Sequence, residues 1–363
     1  MDNIHQRIEE TVAAFARGEI VVVMDDDDRE NEGDLFVAAS LCTPEKMAFI
    51  IRNTSGIVCA PLAASEARRL HLDPMVAAND APLGTAFTVS VDYRHGLTTG
   101  ISAEERTQTV RGLANGNSGA SDFVRPGHVF PLVAKEGGVL MRSGHTEACV
   151  DLCRLAGLPP VGVLAELMKD DGTVMRGAEV AAFAAQHGLK RISIADLIAY
   201  RQSREKLVER ASEFSVDTDI GPLKGYAYLT PFDQVYHMAL VHGRIGDGRG
   251  VLTRLHRANI LNDVFGKTKP VQLALQRFAE EGRGVVIILR DGTAGVPVTA
   301  IPAQADTTSE AVRSRQWREV GLGAQILKDL GISSIRLLTS TKLRYVGLAG
   351  FGIEIESIEP LEP

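Results

Sequence analysis

Ile20-Val21-Val22-Val23-Met24 is a β-branched apolar run, and Leu35-Phe36-Val37 resumes the pattern. Between them lies Asp25-Asp26-Asp27-Asp28-Arg29-Glu30-Asn31-Glu32-Gly33-Asp34. The two runs predict buried strands over 20–24 and 34–39. Any fold of this chain must therefore hold seven carboxylates in ten positions at a strand end. Like charges at that density repel, and something has to neutralise them. A divalent cation held by oxygen ligands does so; an acidic loop left in solvent is the plainer alternative. Arg29, Asn31 and Gly33 interrupt the run, which argues for individually placed groups and against a low-complexity tail.

Strand-like and helix-like patterns alternate as far as residue 200 or so. Further strands are expected at 56–60, 86–91, 128–134 and 160–164, and helices at 4–17, 44–53, 64–70, 102–114, 146–156, 177–186 and 193–202. Arg201 to Glu213 is charged and helix-favouring, and reads as the end of one domain leading into a linker. Beyond 215, strands are expected at 223–229, 234–241, 285–290, 335–339 and 352–357, and helices at 270–280 and 316–330. Gly243-Arg244-Ile245-Gly246-Asp247-Gly248-Arg249-Gly250 reads as a hairpin turn between strands and lacks the spacing of a phosphate-cradling loop. A length of 363 residues suits two domains, 1–205 and 215–363.

A net charge of −7, with no basic patch carrying interleaved aromatics, argues against nucleic acid as a partner. No apolar stretch reaches the roughly 18 residues of a membrane span. The N-terminus has Ile4, Ile8, Val12 and Phe15 at helical spacing and no signal-peptide core. Cys42, Cys59, Cys149 and Cys153 include no Cys-x-x-Cys pair, and few scattered thiols suit a reducing cytoplasm.

Three segments join the acidic loop as candidates. In Thr98-Thr99-Gly100-Ile101-Ser102-Ala103-Glu104-Glu105-Arg106, Ser102 and Glu105 predict a capping box that opens a helix. Arg125-Pro126-Gly127-His128 is a turn entering Val129-Phe130-Pro131-Leu132. Arg142-Ser143-Gly144-His145-Thr146-Glu147 leads into the helix expected from 146. There Gly144 permits a tight turn, exposed amides at the helix start suit an anion, and Arg142 adds a bidentate donor for a phosphate. His145 reads as a metal ligand or a base, or as a histidine satisfied by packing. Glu166 stands in Gly162-Val163-Leu164-Ala165-Glu166-Leu167-Met168. A carboxylate inside an apolar strand costs free energy unless paired or protonated, and desolvation suits it to acid–base work near neutral pH. The alternative is an edge-strand glutamate facing water. The whole set suits metal-assisted chemistry on a small sugar phosphate.

Asp26-Asp27-Asp28-Arg29-Glu30-Asn31-Glu32-Gly33-Asp34-Leu35, Thr99-Gly100-Ile101-Ser102, Arg125-Pro126-Gly127-His128 and Gly144-His145-Thr146-Glu147-Ala148 resemble 3,4-dihydroxy-2-butanone 4-phosphate synthase of riboflavin biosynthesis, in order, over residues 5–203. The resemblance implies conversion of D-ribulose 5-phosphate to L-3,4-dihydroxy-2-butanone 4-phosphate and formate. It also implies Mg²⁺ (replaceable by Mn²⁺) and a homodimer with its sites near the subunit interface. By position it makes Glu30 and His145 metal ligands. Arg29, Glu30, Asp34, Arg142, Ser143, Gly144, His145 and Thr146 become substrate and phosphate contacts, and His128 and Glu166 the catalytic groups.

Residues 215–363 resemble GTP cyclohydrolase II through Val241-His242-Gly243-Arg244-Ile245, Asn262-Asp263-Val264-Phe265-Gly266, Gly321-Leu322-Gly323-Ala324-Gln325-Ile326-Leu327, Leu337-Leu338-Thr339 and Val346-Gly347-Leu348-Ala349-Gly350-Phe351-Gly352. That family holds zinc by three cysteines, which fall here on Asn259, Pro270 and Gln272, and the segment contains no cysteine. Leu289-Arg290-Asp291-Gly292-Thr293-Ala294 stands near the place of the family's Arg-Gln-Glu-Gly-Arg-Gly, and Gln316, two before Arg318, near that of its catalytic Asp. The expectation is a retained fold, no zinc and no GTP cyclohydrolase II activity, with Arg244, Arg249, Arg254 and His256 leaving room for an anion; the alternatives are a bifunctional enzyme that also acts as GTP cyclohydrolase II, or a regulatory or protein-binding module. The fold class expected is α+β, with two α/β-type domains: a mixed-sheet synthase domain followed by the cyclohydrolase-like one.

Overall fold

The protein is described by a computed structural model over residues 2–25, 31–81, 84–231, 235–267, 269–290, 321–340 and 353–361. It forms two compact α/β units, Met1–Tyr200 and Arg201–Pro363, each built on a seven-stranded mixed sheet.

Unit 1 runs α1 (Asp2–Ala16), β1 (Val21–Met24), β2 (Gly33–Ala38), α2 (Pro44–Asn53), β3 (Cys59–Ala63), α3 (Ala64–Arg69), β4 (Val91–Tyr93), α4 (Ala103–Ala114), β5 (Phe123–Ala134), α5 (His145–Leu155), β6 (Gly162–Glu166), α6 (Ala178–Gln186), β7 (Lys190–Ser193) and α7 (Ile194–Arg204). The sheet order is β4-β5-β3-β6-β2-β1-β7. β1 and β2 pair antiparallel, with Met24 opposite Gly33, so the acidic segment connects two neighbouring strands. Period-two alternation sorts the strands by face. Val22, Leu35, Val37, Ala60, Leu62, Val163 and Ala165 enter the core with residues of α2, α4 and α6. Phe36 points the other way and meets His145 on α5 edge-on, ring centroids 5.9 Å apart. Thr43 caps α2 by accepting the Lys46 N–H at 3.4 Å, with Pro44 in the first turn, where its missing N–H costs nothing.

Several expectations shift. The strand expected at 86–91 is Val91–Tyr93, because 87 and 88 make only isolated bridges. That expected at 56–60 is Cys59–Ala63, and β7 at Lys190–Ser193 stands just ahead of the helix expected from 193. Glu166 is not on an edge: β6 lies between β3 and β2.

Unit 2 contributes β8 (Glu209–Thr218), β9 (Gly221–Leu229), β10 (Tyr236–His242), β11 (Val251–Arg257), α8 (Pro270–Glu281), β12 (Gly284–Leu289), β13 (Ser334–Thr339) and β14 (Glu354–Pro360), with residues 321–329 helical. The sheet order is β14-β13-β11-β12-β10-β9-β8. α8 packs Ala274 and Phe278 with Leu252 and Val286, while Gly323 approaches Leu255, which points to the opposite face of β11. The linker expected before 215 is largely strand β8. The 243–250 segment is not a hairpin turn, because β12 lies between β10 and β11. Its glycines serve close approach: at Gly248, φ +72 to +76 being the loop's habit at 246 and 248, a Cβ would collide with the Gly331 carbonyl.

Candidate active site of unit 1

Register brings the candidate groups to one end of the sheet. Asp34 on β2 stands directly opposite Glu166 on β6. Cys59 at the start of β3 is opposite both Phe130 and Leu164. His128 lies two residues before Phe130 and Glu166 two after Leu164, and β6 runs against β3 and β5. Both therefore sit at the same sheet end, two strand spacings or about 10 Å apart.

The first group is Asp34, His145 and Glu166. Asp34 is 2% exposed, and its Oδ1 is 3.6 Å from His145 Nδ1 at the head of α5. Glu166 Oε2 accepts from Ser55 Oγ at 2.8 Å. Ser55 Oγ itself accepts the Ile57 N–H at 3.3 Å, so its single proton is directed at the carboxylate. Burial first, then the charges of Glu166 and Asp34, push the Cys59 thiol far up, so it stays protonated beside them.

The second group is His128 and Asp92. The Asp92 carboxylate on β4, 3% exposed, accepts the His128 N–H at 2.8 Å and Nδ1–H at 2.7 Å. That pairing suits the tautomer whose proton is on Nδ1, with Nε2 turned away from Asp92. The Thr98–Gly100 segment packs against this pair. Gly100 has φ +84, and a Cβ there would collide with the Asp92 carboxylate. Glu105 holds the segment by accepting Thr98 N–H and Oγ1–H, both at 2.7 Å. Those bonds, aided by the Gly100 N–H and Ser102, draw the Glu105 carboxyl down to about 2. Ser102 caps α4 by accepting the Glu105 N–H at 3.2 Å. Between the two groups runs residues 54–57, where the buried Arg106 donates Nη1–H to the Gly56 carbonyl at 2.9 Å.

The turn before α5 differs from the sequence expectation. Gly144 is extended at φ −116. It supplies room: a Cβ would collide with the Arg142 guanidinium and crowd Glu147. Ser143 and the first turn of α5, His145, Thr146 and Glu147, are buried. Arg142 Nη1 donates to Glu147 Oε2 at 2.6 Å. Burial raises the Glu147 carboxyl, with Arg142 pulling against it. Arg29 and Glu30 lie outside the described residues, and among the described ones no three His, Cys, Asp or Glu side chains are grouped to hold a metal. The donors that do meet here, carboxylates and an imidazole, fit a hard divalent cation. Asp92, Ser55 and Glu147 were missed from sequence; Asp92, a carboxylate in Val89-Ser90-Val91-Asp92-Tyr93, carried the same signal as Glu166.

In unit 2 the groups offered for an anion do not act together. Arg254 donates to the Leu338 carbonyl at 3.0 Å and Ser340 Oγ at 3.3 Å. His256 pairs with Asp263 at 3.0 Å, and Arg244 and Arg249 are exposed on the 243–250 loop. Asn259 lies before β12, and Pro270 and Gln272 are in the first turn of α8; these side chains do not fit a thiolate-held zinc. Gln316 and Arg318 are outside the described residues, as are 291–294.

A carboxylate- and imidazole-lined sheet end in an α/β unit defines a class of acid–base enzyme whose donors fit a divalent cation. The chain belongs to the 3,4-dihydroxy-2-butanone 4-phosphate synthase family, whose model matches residues 9–200, and carries a GTP cyclohydrolase II domain, matched over 209–360. It is 46% identical over 373 residues to the bifunctional riboflavin biosynthesis protein RIBA 1, chloroplastic, of Arabidopsis thaliana, covering 98% of this chain and 68% of that protein. It also matches the crystal structure of RibBX, a two domain 3,4-dihydroxy-2-butanone 4-phosphate synthase from A. baumannii. That match has 38% identity and TM-score 0.81, covering 97% of this chain and 99% of that one. A crystal structure of 3,4-dihydroxy-2-butanone 4-phosphate synthase in complex with two magnesium ions matches at 47% identity and TM-score 0.53, covering 54% of this chain and 97% of that one.

These matches correct one expectation. Absence of GTP cyclohydrolase II activity, argued from the missing cysteines, is overturned by the cyclohydrolase family match over 209–360 and by the bifunctional relative that aligns along 98% of the chain. The inference failed because it tied the activity to one ligand set and read the loss of those ligands as loss of function. Among the described residues, no helix is long and apolar enough to cross a membrane.

Proposed function

We propose that the chain carries two activities of riboflavin biosynthesis. Residues 1–205 convert D-ribulose 5-phosphate to L-3,4-dihydroxy-2-butanone 4-phosphate and formate, and residues 215–363 act as GTP cyclohydrolase II. The observation that carries the first is the gathering of Asp34, His145, Glu166 and the Asp92-held His128 at one sheet end. Family membership supports it. The second rests on the family match and the bifunctional relative; unit 2 has no cysteine, and no step through zinc is assigned to its residues.

In unit 1, Glu30 and His145 would hold Mg²⁺, or Mn²⁺ in its place, as the magnesium-bound relative suggests. Such an ion supplies a Lewis acid for the sugar's carbonyl. Arg29, Asp34, Arg142, Ser143, Gly144 and Thr146 bind the substrate, Arg142 facing its phosphate. Asp92 fixes the His128 tautomer and leaves Nε2 to take a proton. Ser55 fixes one Glu166 oxygen and leaves the other to give or accept one. These two groups serve removal of the C3 proton and the transfers that accompany water loss at C1, the skeletal shift and formate release. The active form is a homodimer of the cytoplasm; the four free, buried cysteines suit a reducing compartment.

The test is one purified preparation given ribulose 5-phosphate with Mg²⁺ and assayed for formate, and given GTP with Zn²⁺ and assayed for the diaminopyrimidine product. Formate without pyrimidine restricts the proposal to unit 1, and pyrimidine without formate to unit 2.

A further inference from the structure

Glu147 does more than complement a helix end. Its carboxylate sits in the first turn of α5, where acids favour the helix dipole, yet it is 1% exposed and engaged across the turn. Oε1 accepts the Lys135 N–H at 3.0 Å and Oε2 accepts from Arg142 Nη1 at 2.6 Å. Lys135 follows the last residue of β5. The carboxylate therefore ties the end of a strand to the guanidinium five residues before it. Gly144 completes the device, because any side chain there would strike both partners.

A guanidinium is a planar fork. One Nη bonded to a buried carboxylate helps to fix the plane of the guanidinium, and with it the direction of its other N–H groups. Loosening that bond widens the range of guanidinium orientations, and re-ordering them on each binding event costs affinity. We infer that Glu147 is a positioning residue, which orients Arg142 for the phosphate of the substrate. The inference rests on the assignment of Arg142 to that phosphate.

The test is a double-mutant cycle in the full chain, with Mg²⁺ and ribulose 5-phosphate, reading KM and kcat of formate release for R142A, E147Q and R142A/E147Q. Both single variants raise KM roughly tenfold with a much smaller change in kcat. The double variant is no worse than R142A, because Glu147 then has nothing to orient. An unchanged KM in E147Q beside a raised KM in R142A overturns the positioning role, as do single effects that multiply in the double variant. An unchanged KM in R142A overturns the phosphate assignment itself. If E147Q fails to fold, Arg142→Lys decides: a lysine keeps the charge without the fork, so KM rises as in R142A, whereas a wild-type KM overturns the inference.

Discussion

The two units share an architecture and differ in how their polar side chains are gathered. In unit 1 side chains from different elements meet one another at one sheet end: His128 with Asp92, His145 with Asp34, and Glu166 with Ser55. In unit 2 His256 pairs with Asp263, but the buried Arg254 bonds the Leu338 carbonyl, and His237 accepts the Arg290 N–H at 3.0 Å. A group satisfied by backbone is held in one state. A group satisfied by another ionisable side chain can pass a proton and still keep its partner. The contrast supports the acid–base site proposed for unit 1 and assigns Arg254 and His237 of unit 2 to packing.

The largest effect that follows is on turnover. Glu166→Gln should lower formate release by about 10²–10⁴-fold, the usual worth of a positioned acid or base, whereas Arg254→Gln in unit 2 should leave it unchanged. Equal losses in both variants would erase the contrast. Next comes a pH effect confined to unit 2. Burial, with Arg290 adding to it, pulls His237 from 6.5 to about 4. The unfolded chain then binds a proton that the folded one refuses, so stability is whole above about 6.5 and is lost as pH falls toward 4. The loss is on the order of 3 kcal/mol, at about 1.36 kcal/mol per unit. Urea unfolding followed through a unit 2 signal at pH 7 and pH 4.5 measures it, and His237→Gln should flatten that dependence.

Gly100→Ala comes third. It places a methyl against the Asp92 carboxylate at a left-handed φ, costs about 1–3 kcal/mol of stability, and disturbs His128, so formate release should fall as well. A stability loss with full turnover would separate the Thr98–Gly100 segment from the site. The smallest is Thr43→Ala, which removes the α2 cap for about 1 kcal/mol, read as a lowered Tm with unchanged formate release.

Legibility in the sequence followed burial. Val21–Met24 and Gly33–Ala38 are buried strands, and their apolar runs announced them. β8 did not, because nearly every residue from Glu209 to Thr218 is exposed and the strand is held by pairing to β9, a non-local fact that no period records. Glu166 stood out as a charge within an apolar run. Its position opposite Asp34 depends on register, which adjacent residues do not encode. Arg142 and Glu147 are five apart, outside the i,i+3 and i,i+4 spacings of helix neighbours, so their bond emerged only with the turn at Gly144. Missing cysteines were legible at once, and their meaning was overdrawn.

The central claim is that the sheet end of unit 1 carries out metal-dependent cleavage of a sugar phosphate. Formate released per ribulose 5-phosphate consumed, with Mg²⁺ and then after EDTA, tests it directly. The account predicts one formate per substrate with Mg²⁺, none after chelation, and restoration on adding Mg²⁺ back. No formate with Mg²⁺, or release that continues unchanged after chelation, would contradict it.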